Sequence, residues 1–275
     1  MKLSILGNNG PYAQAGGACS GYLISQDNVN IVLDMGPGTL ANLQRKAAIE
    51  DIDMIILSHL HYDHISDIFT LKYALEMLVK KGSINEKIKL FCPEEPRSIV
   101  EVLYQFNDVF DIVSYDETTK LKMGNLSMEF CEMTHPVKSF ACRITNGSGV
   151  FMYSGDTGMN ERITSFAAGA DVLLLDGGLQ ESSVQENFQE KDIRKSEVHE
   201  STSQGNVPLV SAPKNHLTCR ECGLITDIIK PERMILTHIP PGRDPAEMRN
   251  EAIQDLKNMK VLNVEVAEIM KEYNL

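Results

Sequence analysis

The chain has 275 residues, 43% hydrophobic and 23% charged, with a formal net charge of −12 at pH 7. That balance is ordinary for a soluble globular protein, and the length suits one large α/β domain or two smaller ones. The acidic surface argues against a protein that grips long nucleic acid, because neutralising phosphates takes Lys and Arg, and no apolar run reaches the roughly 18–20 residues that a membrane crossing needs.

The start, Met1-Lys2-Leu3-Ser4-Ile5-Leu6-Gly7, is broken too soon for a signal peptide, so a cytoplasmic protein is expected. Lys2–Leu6 reads as a first strand, followed by the loop Gly7-Asn8-Asn9-Gly10-Pro11. Gly21–Ser25 and Asn30–Asp34 form a hairpin about Gln26-Asp27-Asn28. Gly36-Pro37-Gly38-Thr39 opens a helical stretch with Leu40, Leu43 and Ala47 on one face. Asp53–Leu57 is a short apolar run suited to a strand buried on both faces. A helix carrying Ile65, Ile68, Leu71, Leu75 and Leu78 comes shortly after. Ile88–Cys92, Pro96–Phe106 and Ile112–Tyr115 then read as strand, helix and strand. Three strands follow at Leu126–Met133, Ser139–Thr145 and Gly149–Tyr153, the last two joined by the turn Asn146-Gly147-Ser148-Gly149. Arg162–Ala168, Thr218–Lys230 and Pro245–Asn258 read as helices, and Asp171–Leu175, Arg233–Leu236 and Val261–Val266 as strands. Strands grouped in each half, with helices between and after them, predict two sheets face to face with helices outside, in one domain.

Between Asp53–Leu57 and the helix that follows lies Ser58-His59-Leu60-His61-Tyr62-Asp63-His64, which places three of the seven histidines within six residues. Imidazole and carboxylate are ligands for a borderline divalent metal at roughly 2.0–2.2 Å. In an extended segment His59 and His61 share a face. As the chain turns, Asp63 and His64 can aim at a second point, so one loop can serve two metals. Three further strands end in a residue of ligand type. Glu132-Met133-Thr134-His135 ends one, Tyr153-Ser154-Gly155-Asp156 another, and Leu236-Thr237-His238, stopped by Pro240-Pro241-Gly242, a third. Together, five histidines and two aspartates suffice for two metals sharing a carboxylate.

The six cysteines are scattered, as buried thiols in a reducing compartment would be. Cys219-Arg220-Glu221-Cys222 has CxxC spacing but neither a second CxxC nor a thioredoxin-like context, so packing is the expected role. Gln180–Ser203 is polar and rich in Glu, Gln, Ser and Lys. It reads either as a solvated excursion or as a lid or partner arm beside the site.

In this order, His59-x-His61-x-Asp63-His64, His135, Asp156 and His238 resemble the metallo-β-lactamase fold superfamily over essentially the whole chain. The resemblance implies an α/β fold, an αββα sandwich of two mixed sheets in a single domain of residues 1–275, with two divalent metals at one edge. His59, His61 and His135 would bind one metal and Asp63, His64 and His238 the other. Asp156 and a water would lie between them, and Asp34 would orient the ligand loop from behind. Zn²⁺ is the expected metal, with Mn²⁺ or Fe²⁺ as alternatives. His216-Leu217-Thr218 is similar to the His-Ser-Thr element of tRNase Z, whose histidine faces the metals; the competing reading is that His216 caps its helix with Thr218. Two departures point away from tRNase Z itself. No RNA-gripping arm separates His135 from Asp156, and Asp176-Gly177-Gly178-Leu179 replaces the His-Glu-Ala-Thr element. His199-Glu200-Ser201-Thr202 mimics that element in letters but reads as surface.

What remains is similarity to short, armless hydrolases, among them small-molecule and cyclic-nucleotide phosphodiesterases. The expected reaction is in-line attack of a metal-shared hydroxide on a small phosphodiester. Asp63 would orient or deprotonate the water, His216 would assist the leaving alkoxide, and Gly7–Gly10 would offer backbone N–H groups near the pocket. Hydrolysis of a carboxylic ester, lactone or thioester on the same site is the alternative. Further off stands a non-catalytic, metal-dependent regulatory protein. The partner is a small-molecule substrate, with no membrane and no long nucleic acid, and a homodimer is the family expectation.

Overall fold

The computed structural model describes residues 1–180, 214–256 and 263–275. The excursion expected over Gln180–Ser203 lies outside the described residues save for Gln180, and so does His199.

The chain first lays down β1 (Lys2–Gly7), β2 (Gly21–Gln26), β3 (Val29–Leu33), β4 (Met54–Ile56), β5 (Ile88–Pro93) and β6 (Phe110–Tyr115). A second series follows as β7 (Lys120–Met123), β8 (Leu126–Glu132), β9 (Phe140–Thr145), β10 (Val150–Tyr153), β11 (Val172–Asp176), β12 (Arg233–Thr237) and β13 (Asn263–Val266). β14 (Glu272–Asn274) returns to the first sheet. The two seven-stranded sheets run β14-β1-β2-β3-β4-β5-β6 and β13-β12-β11-β10-β9-β8-β7. Each is mixed. β3 to β6 and β10 to β13 are parallel, while the remaining pairs are antiparallel.

Side chains alternate across a strand, so the inner strands build two apolar layers at once. On β11, Val172 and Leu174 join Leu3, Ile5, Ile24, Phe140 and Phe151 between the sheets, while Leu173 and Leu175 face the opposite way. Helices cover both outer faces. On the first sheet these are α1 (Thr39–Leu43), α2 (Tyr62–Lys81) and α3 (Arg97–Tyr104), with Ile65, Ile68, Leu71 and Leu75 of α2 packed against Val32, Ile55 and Leu90. On the second they are α4 (Glu161–Ala167), α5 (Cys219–Ile229) and α6 (Pro245–Ile253). The result is the αββα sandwich, three apolar layers deep.

Three differences from the sequence reading have local causes. α1 stops at Leu43 and does not extend to Ala47, because a turn and a short 3₁₀ segment, Ile49–Asp51, drop the chain towards β4. β7 and β14 carry too few apolar residues to register as strands. Both are short outer strands whose charged residues suit an edge. α2 begins at Tyr62, earlier than the histidine loop suggested, with consequences for the site.

Leu174 is fully buried between the sheets, at 0% exposure. Leu174→Ala is expected to cost about 2–5 kcal/mol, the usual price of a truncated core leucine. A urea titration reads this as a lower midpoint; an unchanged midpoint would contradict the packing described.

Candidate metal centre

The His59–His64 motif straddles two elements. His59 follows β4 as extended chain, whereas His61 is the N-cap of α2 at φ −71°, ψ 150°, and Asp63 and His64 stand on the helix's first turn. The strand-to-helix corner, rather than a loop, therefore separates the two ligand directions. Asp63 also gains from lying at a helix N-terminus, where negative charge is favoured. Gly36 makes the corner tight enough: a Cβ there would lie 1.9 Å from the carbonyl oxygen of Asp63.

Two groups of side chains converge on Asp156. In one, His61 Nδ1 lies 3.0 Å from His59 Nε2 and 3.1 Å from His135 Nε2, and His59 Nε2 lies 3.6 Å from Asp156 Oδ2. In the other, His238 Nε2 is 3.2 Å from both Asp63 Oδ2 and Asp156 Oδ2. His64 Nε2 is 3.6 Å from Asp63 Oδ2 and 3.3 Å from Asp156 Oδ1. A tetrahedral ion with ligands at about 2.0–2.2 Å sets its ligand atoms roughly 3.3–3.6 Å apart. The observed separations, 3.0–3.6 Å, lie within that range or up to about 0.3 Å below it.

The chemistry of the donor set fits as well. His61 Nδ1 faces two other imidazole nitrogens, yet it carries at most one proton to share between them. His64 Nε2 and Asp156 Oδ1 are buried without a hydrogen-bond partner despite their proximity. Burial drives the His59 imidazole well below its usual range and lowers His61 and His135 too, so this group is neutral and ready to bind a cation. In the second group burial also acts to lower the imidazoles, but Asp156 and Asp34 outweigh it at His64, and Asp156 and Asp63 at His238, so both are raised. Asp156 is pushed up by burial, yet the charges of His238, His64 and His59 hold it well below the ordinary carboxylate range. Asp63 is held low in the same way, by His238 and His64 against the effect of burial.

Residues behind the candidate ligands fix their orientation. Asp34, buried at the end of β3 with φ 58°, accepts four hydrogen bonds. Oδ1 takes the Ser58 N–H at 2.7 Å, while Oδ2 takes the Ser58 hydroxyl, the Tyr153 hydroxyl and His64 Nδ1–H, each at 2.8 Å. A proton held on Nδ1 leaves the Nε2 lone pair of His64 for a metal. His135 is oriented likewise, its Nδ1–H donating to the Asn215 carbonyl at 2.9 Å. Sequence placed Asp34 in this role but missed Tyr153, which reaches it from the opposite sheet.

His216 does not cap its helix. Thr218 is the N-cap of α5, closing a capping box with Glu221, and His216 instead donates from Nδ1 to Asp176 Oδ2 at 2.8 Å. Its ring stacks on His238 with centroids 4.9 Å apart and planes 17° from parallel. Burial would lower its pKa, but Asp176 outweighs it and raises the group to about 9. Asp176 is the functional residue that sequence reasoning passed over. It also accepts the N–H groups of Thr157 and Gly178, and its Oδ1 lies 3.7 Å from His238 Nδ1. The signal was present, since β11 is an apolar strand ending in a carboxylate, the same form that singled out Asp156.

The Gly7–Gly10 loop needs a correction. The N–H groups of Asn8 and Asn9 donate to the Ala18 carbonyl and that of Gly10 to the Ile239 carbonyl, so the loop offers no anion cradle. It serves by close approach, because a Cβ on Gly10 would fall 2.0 Å from His238 Nε2. All six cysteines are buried thiols, and Cys219 and Cys222 pack their sulfurs against the carbonyls of Gly177 and Asp176.

A family model described as a beta-lactamase superfamily domain matches residues 29–239. The chain belongs to the beta-lactamase superfamily. The probable metallo-hydrolase YhfI of Bacillus subtilis is 25% identical over 253 residues, covering 92% of each chain. The YhfI crystal structure matches with a TM-score of 0.81 at 23% identity, covering 99% of this chain and 98% of that one. The short form of human tRNase Z matches with a TM-score of 0.69 at 16% identity, over 100% of this chain and 99% of that one. A diphosphatase of the PhnP family gives 0.70 at 14% identity, over 100% and 97%. The last two share the fold. The chain is thus a metallo-hydrolase of the superfamily, and its His/Asp clusters imply use of a divalent metal. No helix among the described residues is long and apolar enough to cross a membrane.

Asp34→Asn keeps the shape of the side chain but turns part of it into a donor facing donors. Metal affinity is expected to fall about 10- to 100-fold, as when an outer partner of a ligating histidine is lost. Competition with a chromophoric chelator measures this. Unchanged affinity would refute the orienting role.

Proposed function

We propose that this metallo-hydrolase is a dinuclear phosphodiesterase acting on small phosphodiesters, with Zn²⁺ as the resident metal. The observation that carries the reading is the pair of ligand groups sharing Asp156, with His216 locked on Asp176 directly beside them. His59, His61 and His135 would hold one cation, Asp63, His64 and His238 the other, and Asp156 would touch both. When bound, the two cations supply Lewis-acid activation of water and neutralise charge on the phosphate.

The chain's own residues supply the proton traffic. Asp63, kept anionic by His238 and His64, orients the attacking water and accepts its proton. Asp176 holds the proton on His216 Nδ1, which leaves Nε2–H to donate to the departing oxygen. One P–O bond forms on the water side, the opposite P–O bond breaks, and the alkoxide leaves as an alcohol. Two features support a substrate of modest size. Only β9, β10 and their turns join His135 to Asp156, leaving no arm between them, and the net charge of −12 disfavours a polyanion.

The test is hydrolysis of bis(p-nitrophenyl) phosphate by metal-loaded protein, set against p-nitrophenyl acetate. Diester turnover that a chelator and Asp156→Ala both abolish is expected. His216→Ala should cost about 10²- to 10⁴-fold on a diester with an alkoxide leaving group. The cost should be smaller with p-nitrophenolate, which departs without help. Acetate hydrolysis without diester hydrolysis would move the assignment to carboxylic esters, lactones or thioesters. An unaffected His216→Ala would remove that residue's role.

A further inference from the structure

Two buried tyrosines cross between the sheets in opposite directions. Tyr22 of β2, in the first sheet, shares a hydrogen bond of 2.7 Å with the Thr237 hydroxyl at the end of β12, in the second. Tyr153 of β10, in the second sheet, donates its hydroxyl at 2.8 Å to Asp34 Oδ2, just past β3 in the first. The two rings meet edge to face with centroids 4.9 Å apart, an arrangement that aromatic pairs favour.

A buried tyrosine hydroxyl ordinarily finds some partner. These two partners matter for where they stand. Thr237 immediately precedes His238, and Asp34 takes the Nδ1–H of His64 on the same oxygen that accepts from Tyr153. His64 and His238 both belong to the second ligand group, yet His64 is held from the first sheet and His238 follows a strand of the second. Their rings lie 20° from parallel with centroids 5.5 Å apart. The separation of these two ligands is therefore a distance between sheets, and each tyrosine fastens one of them to the sheet that carries the other. Tyr115 provides the contrast. It is buried in the same core and donates to the Leu57 carbonyl at 2.9 Å, but β6 and β4 belong to one sheet, so that bond crosses nothing.

We infer that Tyr22 and Tyr153 are positioning residues that together set the spacing of His64 and His238, and with it the affinity of the second metal; this rests on the two-metal reading above. The ring contact joins the two arms, so releasing either one loosens the same spacing.

The test titrates Zn²⁺ into the metal-stripped full chain against a chromophoric chelator, and the constant that Asp63→Ala removes is that of the second ion. Tyr22→Phe and Tyr153→Phe keep the rings and lose only the hydroxyls. Each is expected to weaken the second ion about 3- to 10-fold, the scale of one net hydrogen bond, and to leave the first ion unchanged. The double substitution should weaken it by less than the product of the single effects, as coupled residues do. Tyr115→Phe should lower the urea midpoint as the other two do, yet leave the second ion's constant alone. An unchanged second ion in both variants, equal losses at both ions, or an equal effect of Tyr115→Phe would overturn the inference. Losses that simply multiply would overturn the joint action. Binding of a single ion to the wild type would defeat the two-metal reading, and crystal structures of the two phenylalanine variants would then decide the spacing. A His64–His238 separation displaced from that of the wild type would sustain the inference, and an unchanged one would end it.

Discussion

A carboxylate buried just past a strand end is the constraint on which this molecule turns. Asp156 is 2% exposed and faces imidazoles from both halves of the chain. Burying an ion costs several kcal/mol unless opposite charge meets it. Here the compensation comes from His64 and His238, whose pKa values the surrounding carboxylates raise against the effect of burial. A divalent cation at these positions would do the same work more strongly. The first ligand group is different, since burial keeps His59, His61 and His135 neutral. The two halves of the centre thus differ electrostatically: carboxylates raise the imidazoles of one, and burial lowers those of the other.

The sandwich makes this possible by gathering candidate ligands, and the carboxylates that orient them, at strand ends. Asp34 follows β3, His59 follows β4, Asp156 follows β10, Asp176 ends β11 and His238 follows β12. All five strands take part in the parallel portions of the two sheets. Their carboxyl ends therefore open in a consistent direction on each sheet, where loops can carry polar groups that the core cannot. Two of these residues, Asp34 and His238, sit in the left-handed region at φ 58° and φ 56°. Non-glycine residues seldom adopt that conformation, and it persists where surrounding contacts over-determine it. The four hydrogen bonds onto Asp34 and the packing of Gly10 on His238 are such contacts. The Tyr153–Asp34 bond also crosses from one sheet to the other, which ties the inter-sheet packing directly to the orientation of His64.

Most of this was legible in the sequence because it is local. The apolar run before His59, the strand endings at Asp156 and His238, and the apolar run of β11 each need only a few neighbouring residues to read. What escaped depended on distant parts of the chain meeting. Asp176 looked like a substitution in a familiar element until His216, forty residues on, was found on its carboxylate. Tyr153 read only as the end of a strand, because nothing near it in sequence announces Asp34. The onset of α2 at Tyr62 was missed for the opposite reason. Histidine and aspartate at a helix start read equally well as loop, and only the packing of Ile65 and Ile68 against the first sheet draws the helix back that far.

The stacked pair His216 and His238 shows how one carboxylate divides two similar rings into different tasks. Their planes lie 17° from parallel with centroids 4.9 Å apart, so two positive charges there would repel strongly. Asp176 reaches both, but unequally, at 2.8 Å from His216 Nδ1 and 3.7 Å from His238 Nδ1. A cation on His238 Nε2 would displace that ring's second proton, leaving Asp176 to neutralise His216 alone. Under the proposed function, one imidazole would then serve as a ligand and the other as the proton carrier. Environments that push paired groups towards different protonation states are the usual basis for assigning acid and ligand roles. In this chain the proposed assignment rests on a distance difference of less than an ångström at a residue that no motif names.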